Sequence, residues 1–125
     1  MVRSRRRIAV VDDDPSVCKA LARLLRASDL DADAYGSARQ FLESLHTGVP
    51  DCLVLDLQMP EMDGLALQRD LGRAGIRLPI VVITGHDGPG MQARCLAAGA
   101  ATYLRKPLEE KALLAAIEAA IIAHQ

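Results

Sequence analysis

Leu53-Val54-Leu55-Asp56 is an unbroken apolar run that ends on a carboxylate. With Pro50 and Asp51 before it and Met59-Pro60 after it, the run reads as a strand buried on both faces of a parallel sheet. Asp56 then stands at the carboxyl end of that strand. Open α/β sheets bind their ligands at the carboxyl ends of the strands, so position alone makes Asp56 a candidate site residue.

The flanking sequence repeats one pattern. Ile8-Ala9-Val10-Val11 is a short buried strand, and Asp14 before Pro15 reads as a helix N-cap with proline at the first helical position. Val17, Leu21, Leu24 and Leu25 recur at helical spacing, which carries that helix to about Ser28. A strand by alternation covers Asp31 to Tyr35, and Ser37 caps a helix presenting Phe41, Leu42 and Leu45. Beyond Asp56, Gln58 to Gly64 forms a loop, with Gly64 read as a turn residue needing positive φ. A helix with Leu65, Leu67 and Leu71 follows, ended by Gly72 and Gly75. Ile80-Val81-Val82-Ile83 is an apolar strand stopping on Thr84-Gly85. After a loose Gly88-Pro89-Gly90 start, Met91 to Ala98 is helical. Ala101 to Arg105 is the fifth strand, and Glu109 to about Ala123 the last helix. On that helix Leu113, Leu114, Ile117, Ile121 and Ile122 make an apolar surface wider than one core-facing stripe. Five alternating strand-helix units imply an α/β, doubly wound parallel sheet with right-handed crossovers, here taken as the flavodoxin-like (βα)5 fold with strand order 2-1-3-4-5.

The 125 residues fit a single domain over 1–125, and half of them are apolar. The formal net charge of -1 argues against nucleic acid as a direct partner. Residues 1–7, with Arg3, Arg5, Arg6 and Arg7, read as a solvated basic tail. Cys18, Cys52 and Cys95, an odd number in apolar settings, fit reduced thiols of a cytoplasmic protein. Asp12, Asp13 and Asp14 interrupt the first apolar stretch, which excludes a secretion signal or a membrane span there.

The strand ends carry Asp12-Asp13, Asp56, Thr84 and Lys106. In strand order 2-1-3-4-5 the first and third strands are neighbours, so Asp12, Asp13 and Asp56 crowd together. Clustered carboxylates need a counter-charge, and a hard cation such as Mg²⁺ supplies it through oxygen ligands. In that setting Asp56 is the nucleophile toward phosphorus, and Asp13 and Asp12 are metal ligands with Asp56. The main-chain carbonyl of Gln58 completes the shell, Lys106 is a point charge on the phosphoryl group, and Thr84 its hydroxyl donor.

Val10-Val11-Asp12-Asp13-Asp14, Leu55-Asp56 with Met59-Pro60 and Met62-Asp63-Gly64, Ile83-Thr84-Gly85, and Lys106-Pro107 together resemble the receiver domain of bacterial two-component response regulators. Ile83-Thr84-Gly85-His86 and Gly99-Ala100 are further similar to the nitrogen-fixation-type, FixJ-like transcription regulators. The resemblance implies that Asp56 accepts a phosphoryl group from the phosphohistidine of a sensor histidine kinase, with Mg²⁺ required. It implies a switch in which the Thr84 hydroxyl moves toward the phosphoryl group and Tyr103 turns inward behind it. It also implies a cis Lys106-Pro107 bond, and Gln58 and His86 as residues over the phosphoryl group that tune its lifetime. Output would pass through the face of helix 4, strand 5 and helix 5, whose apolar surplus fits a homodimer. DNA would be met only by an output domain absent from this sequence.

Rival functions each lack a residue. A haloacid-dehalogenase-type phosphatase needs a second aspartate where Gln58 stands, and a dinucleotide site needs glycines where Asp12-Asp13-Asp14-Pro15 stands. The remaining alternative is a pseudo-receiver, a protein-binding module without phosphorylation.

Overall fold

In the computed structural model, which describes residues 5–59, 63–86 and 88–124, five parallel strands are ordered β2-β1-β3-β4-β5. They are β1 (Arg7–Val11), β2 (Asp31–Tyr35), β3 (Cys52–Asp56), β4 (Ile80–Thr84) and β5 (Thr102–Arg105). The helices between and after them are α1 (Pro15–Ala27), α2 (Ala38–Ser44), α3 (Gly64–Arg73), α4 (Met91–Ala97) and α5 (Glu110–His124), with a short 3-10 turn at Leu45–Thr47. This is the doubly wound fold expected from the alternation. Every residue of β3 and β4 is buried, because both faces of these strands are covered by helices.

Side chains of alternating parity divide the core. Ala9, Val11, Leu53, Leu55 and Val82 pack with Phe41 of α2, Leu67 and Leu71 of α3 and Cys95 of α4 on one face. Ile8, Val10, Val54, Val81 and Ile83 pack with Leu21 and Leu25 of α1 and Leu113, Ile117 and Ile121 of α5 on the other. Burial of each large side chain contributes about 2 kcal/mol, so the central strands dominate stability. The edge strand β2 carries exposed Asp31 and Asp33, charges that discourage pairing with a further strand.

Capping follows the sequence closely. Asp14 Oδ1 accepts from Ser16 N at 2.9 Å and Ser37 Oγ from Gln40 N at 3.1 Å, as expected. Asp63 caps α3 in the same way, accepting from Ala66 N at 2.8 Å. At their C-termini α1, α3 and α4 share one design: the residue after the cap has positive φ, and the residue beyond it donates back to the helix. Gly75 and Gly99 occupy that position in α3 and α4, and Asp29, with φ of 65°, in α1. Gly72 lies within α3 rather than ending it.

Three further expectations need correction. Gly64 is not a positive-φ turn residue; it is the first residue of α3, and a Cβ there would stand 2.7 Å from the Asp56 carbonyl oxygen and 2.9 Å from Leu57 Cα. Its lack of a side chain is a matter of close approach. Arg7 belongs to β1 rather than to a tail, because Asp51 clamps it: Arg7 N donates to Asp51 Oδ2 at 2.7 Å and Asp51 N to Arg7 O at 2.8 Å. The breadth of the apolar surface of α5 is largely absorbed by the core. Leu113, Ile117 and Ile121 are buried and Leu114 packs against them, which leaves Ile122 exposed. Arg3, Pro60 and Met62 lie outside the described residues.

Candidate functional site

The register of the sheet assembles the site. Val11 pairs with Leu55, so Asp12, one residue past β1, lies beside Asp56 at the end of β3. Ile83 pairs with Asp56, which places Thr84 one step further along β4. Thr84 pairs with Arg105, and Lys106 follows, its N–H donating to the Thr84 carbonyl at 2.7 Å. Four strands thus deliver four functional side chains to one edge.

Asp12 and Asp56 are buried, at 0 % and 4 % exposure, whereas Asp13 is exposed. The three carboxylates each offer an oxygen within 4.8 Å of the others. Buried like charges this close need compensation, and Lys106 supplies part of it. Its Nζ lies 2.9 Å from Asp12 Oδ2 and 3.8 Å from Asp56 Oδ1. Asp12 Oδ1 also accepts from Asp14 N at 2.9 Å, so both its oxygens are engaged. Asp56 Oδ1 has the Gln58 N–H at 3.3 Å. Burial, with Asp12 adding to it and Lys106 opposing, pushes the Asp56 carboxyl up to about 6. The Lys106 ammonium is held above its ordinary range: burial lowers it, and the hydrogen bond to Asp12 with the charge of Asp56 more than offsets that. The three carboxylates form a hard, all-oxygen donor set of the kind that takes a small divalent cation.

The Thr84 hydroxyl is engaged in its own turn. It donates to the His86 carbonyl at 2.7 Å and accepts from His86 N at 3.2 Å. That same carbonyl accepts from Gln58 Nε2 at 3.3 Å, so the residues two past Asp56 and two past Thr84 are bonded to each other. Both are exposed at the rim. Tyr103 is 9 % exposed and belongs to the same core cluster as Cys95 of α4. The Lys106-Pro107 peptide bond is cis, as the resemblance implies.

The response regulator receiver domain model matches residues 8–118. The chain belongs to that family. Among relatives of this receiver, the response regulator protein TodT of Pseudomonas putida is 40 % identical over 114 residues, covering 91 % of the chain and 50 % of TodT. Nodulation protein W of Bradyrhizobium diazoefficiens is 42 % identical over 113 residues, covering 90 % and 50 %. The transcriptional regulatory protein FixJ of Rhizobium meliloti is 37 % identical over 90 % of the chain and 55 % of FixJ. The receiver therefore spans about half the length of these relatives. In structure it is similar to the crystal structure of FixJ-N, with a TM-score of 0.88 at 35 % identity, covering 96 % of both chains.

Sequence reasoning missed Gln68. It is buried on α3, its Nε2 donates to the Cys95 carbonyl of α4 at 3.2 Å, and its Oε1 has no partner among the described residues. The signal was there: Gln68 lies three residues from both Leu65 and Leu71, a polar side chain on the apolar stripe.

Proposed function

We propose that this receiver is a phosphorylation-activated switch, with Asp56 as acceptor and a sensor histidine kinase as donor. The observation that carries the reading is Asp56 itself, buried at a strand end, facing Asp12, Asp13 and Lys106. An oxygen of the Asp56 carboxylate attacks phosphorus, the bond from phosphorus to the kinase imidazole nitrogen breaks, and an acyl phosphate forms while the imidazole keeps the electron pair and takes up a proton. Lys106, 3.8 Å from Asp56, favours the ionised nucleophile and is placed to balance the charge of the transferred group. Asp12 and Asp13, with Asp56 and the Gln58 main-chain carbonyl, would hold Mg²⁺, which when bound offsets the carboxylate charges and those of the phosphoryl oxygens. The Thr84 hydroxyl, now spent on His86, would exchange that bond for one to the phosphoryl group, with Tyr103 filling the space behind it. Gln58 and His86, joined over the site, would set how readily water reaches the acyl phosphate. The protein signals rather than turning over a substrate.

FixJ is named as a transcriptional regulator, and on this basis we assign the receiver to transcription control; the free, buried thiols of Cys18, Cys52 and Cys95 fit a cytoplasmic setting. Contact with DNA would belong to sequence beyond the receiver, since the chain carries no basic excess. No helix among the described residues is long and apolar enough to cross a membrane. Signalling would use α4, β5 and α5, where Leu96 is exposed beside Gly88, Pro89, Gly90 and Arg105.

The test is intact mass after incubation with acetyl phosphate and Mg²⁺. One added phosphoryl group is expected, lost in Asp56→Asn and lost with a chelator. No adduct, even from a phosphohistidine donor, would move the reading to a pseudo-receiver that works by binding alone.

A further inference from the structure

The two ends of the segment that contains α4 are held by side-chain amides from the stretch that follows Asp56. Gln58 reaches the His86 carbonyl ahead of the helix, at the exposed rim; Gln68 reaches the Cys95 carbonyl within it, in the core. The start of α4 is weakly held, because Gly90 at its N-cap is left-handed and gives no side-chain cap. Its end is closed by the Ala100 N–H, which donates to the same Cys95 carbonyl at 3.0 Å, and by Gly99 N donating to Leu96 O at 3.1 Å.

Gln68 is a poor choice for stability alone. The Cys95 carbonyl already has Ala100 as a donor, so it does not require the amide, and Gln68 Oε1 is buried without a partner among the described residues. A buried acceptor left unmade is unfavourable, and an apolar side chain of equal length would remove it. What the amide supplies is position. Its own helix is fixed, because Gly64, one turn earlier, packs on the Asp56 carbonyl and Leu57. We infer that Gln68 is the pivot of α4: it pins the C-terminal end of the helix to α3, so that any movement swings the end at Gly90 while Cys95 stays in place. This does not depend on phosphoryl transfer.

Amide hydrogen exchange on the whole chain tests it. In the wild type, the Ala98, Gly99 and Ala100 amides should exchange more slowly than Arg94, whose N–H donates to Gly90 O at the free end. In Gln68→Met, Ala98 to Ala100 should speed up about tenfold while Ala74 and Ile76 of the α3 terminus do not, with the melting temperature unchanged or raised. Gln68→Leu serves as a second variant should methionine repack. Unchanged exchange in α4, equal acceleration in α3 and α4, or a wild-type Arg94 as protected as Ala100 would each overturn the assignment.

Discussion

Asp56 is unfavourable to the fold in the state that its chemistry needs. Its carboxyl is raised from 3.8 to about 6, first by burial and then by Asp12, so the folded chain binds that proton more tightly than the unfolded chain does. Between about pH 4 and pH 6 the folded state therefore carries more protons, and stability falls as pH rises through that window, by at most roughly 3 kcal/mol. Below the window both states are protonated and the difference disappears. Asp56→Asn should abolish this contribution: in urea titrations without metal it should stabilise the chain at about pH 7.5 and much less at about pH 4. Added Mg²⁺ should protect the wild type more at the higher pH, since a protonated carboxyl is a poor ligand. Equal effects of the substitution at both pH values would show that Asp56 is not strained by its neighbours. At this scale the sequence displayed the chemical set, because aspartates, a threonine and a lysine after apolar runs are conspicuous. It did not display the ion pair between Lys106 and Asp12, or the bond of Thr84 to His86, since those depend on rotamers that spacing does not determine.

The helices differ in how well their ends are made. α1, α3 and α4 close with the same back-bonded turn, but only α1 puts a residue with a Cβ at its left-handed position. Leu30 N donates to Leu25 O at 3.1 Å and Asp29 N to Arg26 O at 3.2 Å, so the motif is complete and Asp29 bears its conformational cost. Asp29→Gly should raise stability by about 0.5–1 kcal/mol, read from the denaturation midpoint, with the site chemistry untouched. A loss of stability would mean that the aspartate side chain contributes more than its backbone costs. The apolar spacing placed the end of α1 correctly near Ser28, but the sequence did not show that Asp29 takes the left-handed position, and of the two glycines read as ending α3 only Gly75 does so. The same limit explains Gly64, where the sequence could not separate a need for positive φ from a need for space.

On the scale of the molecule, the parallel, doubly wound sheet followed from alternation and buried runs, while the order 2-1-3-4-5 is one of the doubly wound orders that alternation allows. The reach of the last helix was harder to foresee. Its apolar width looked like a docking face, yet most of it covers the sheet, and the exposed remainder at Ile122 lines a groove of about 400 Å³ with Leu30 and Ser28 rather than with α4. A homodimer through α4, β5 and α5 would have to rely more on Leu96 and Arg105 than on α5. Sedimentation velocity with Mg²⁺ and beryllofluoride as phosphoryl mimic is expected to convert monomer to dimer, with Leu96→Glu blocking the change. A monomer under both conditions at high concentration would remove the dimer from the mechanism. The ion pair between Asp12 and Lys106 joins residues near opposite ends of the sequence. A polypeptide still emerging from the ribosome therefore lacks the balancing cation until β5 has been extruded. Incomplete chains should be unable to hold a signal, and the switch comes into existence only when translation of the domain is essentially finished.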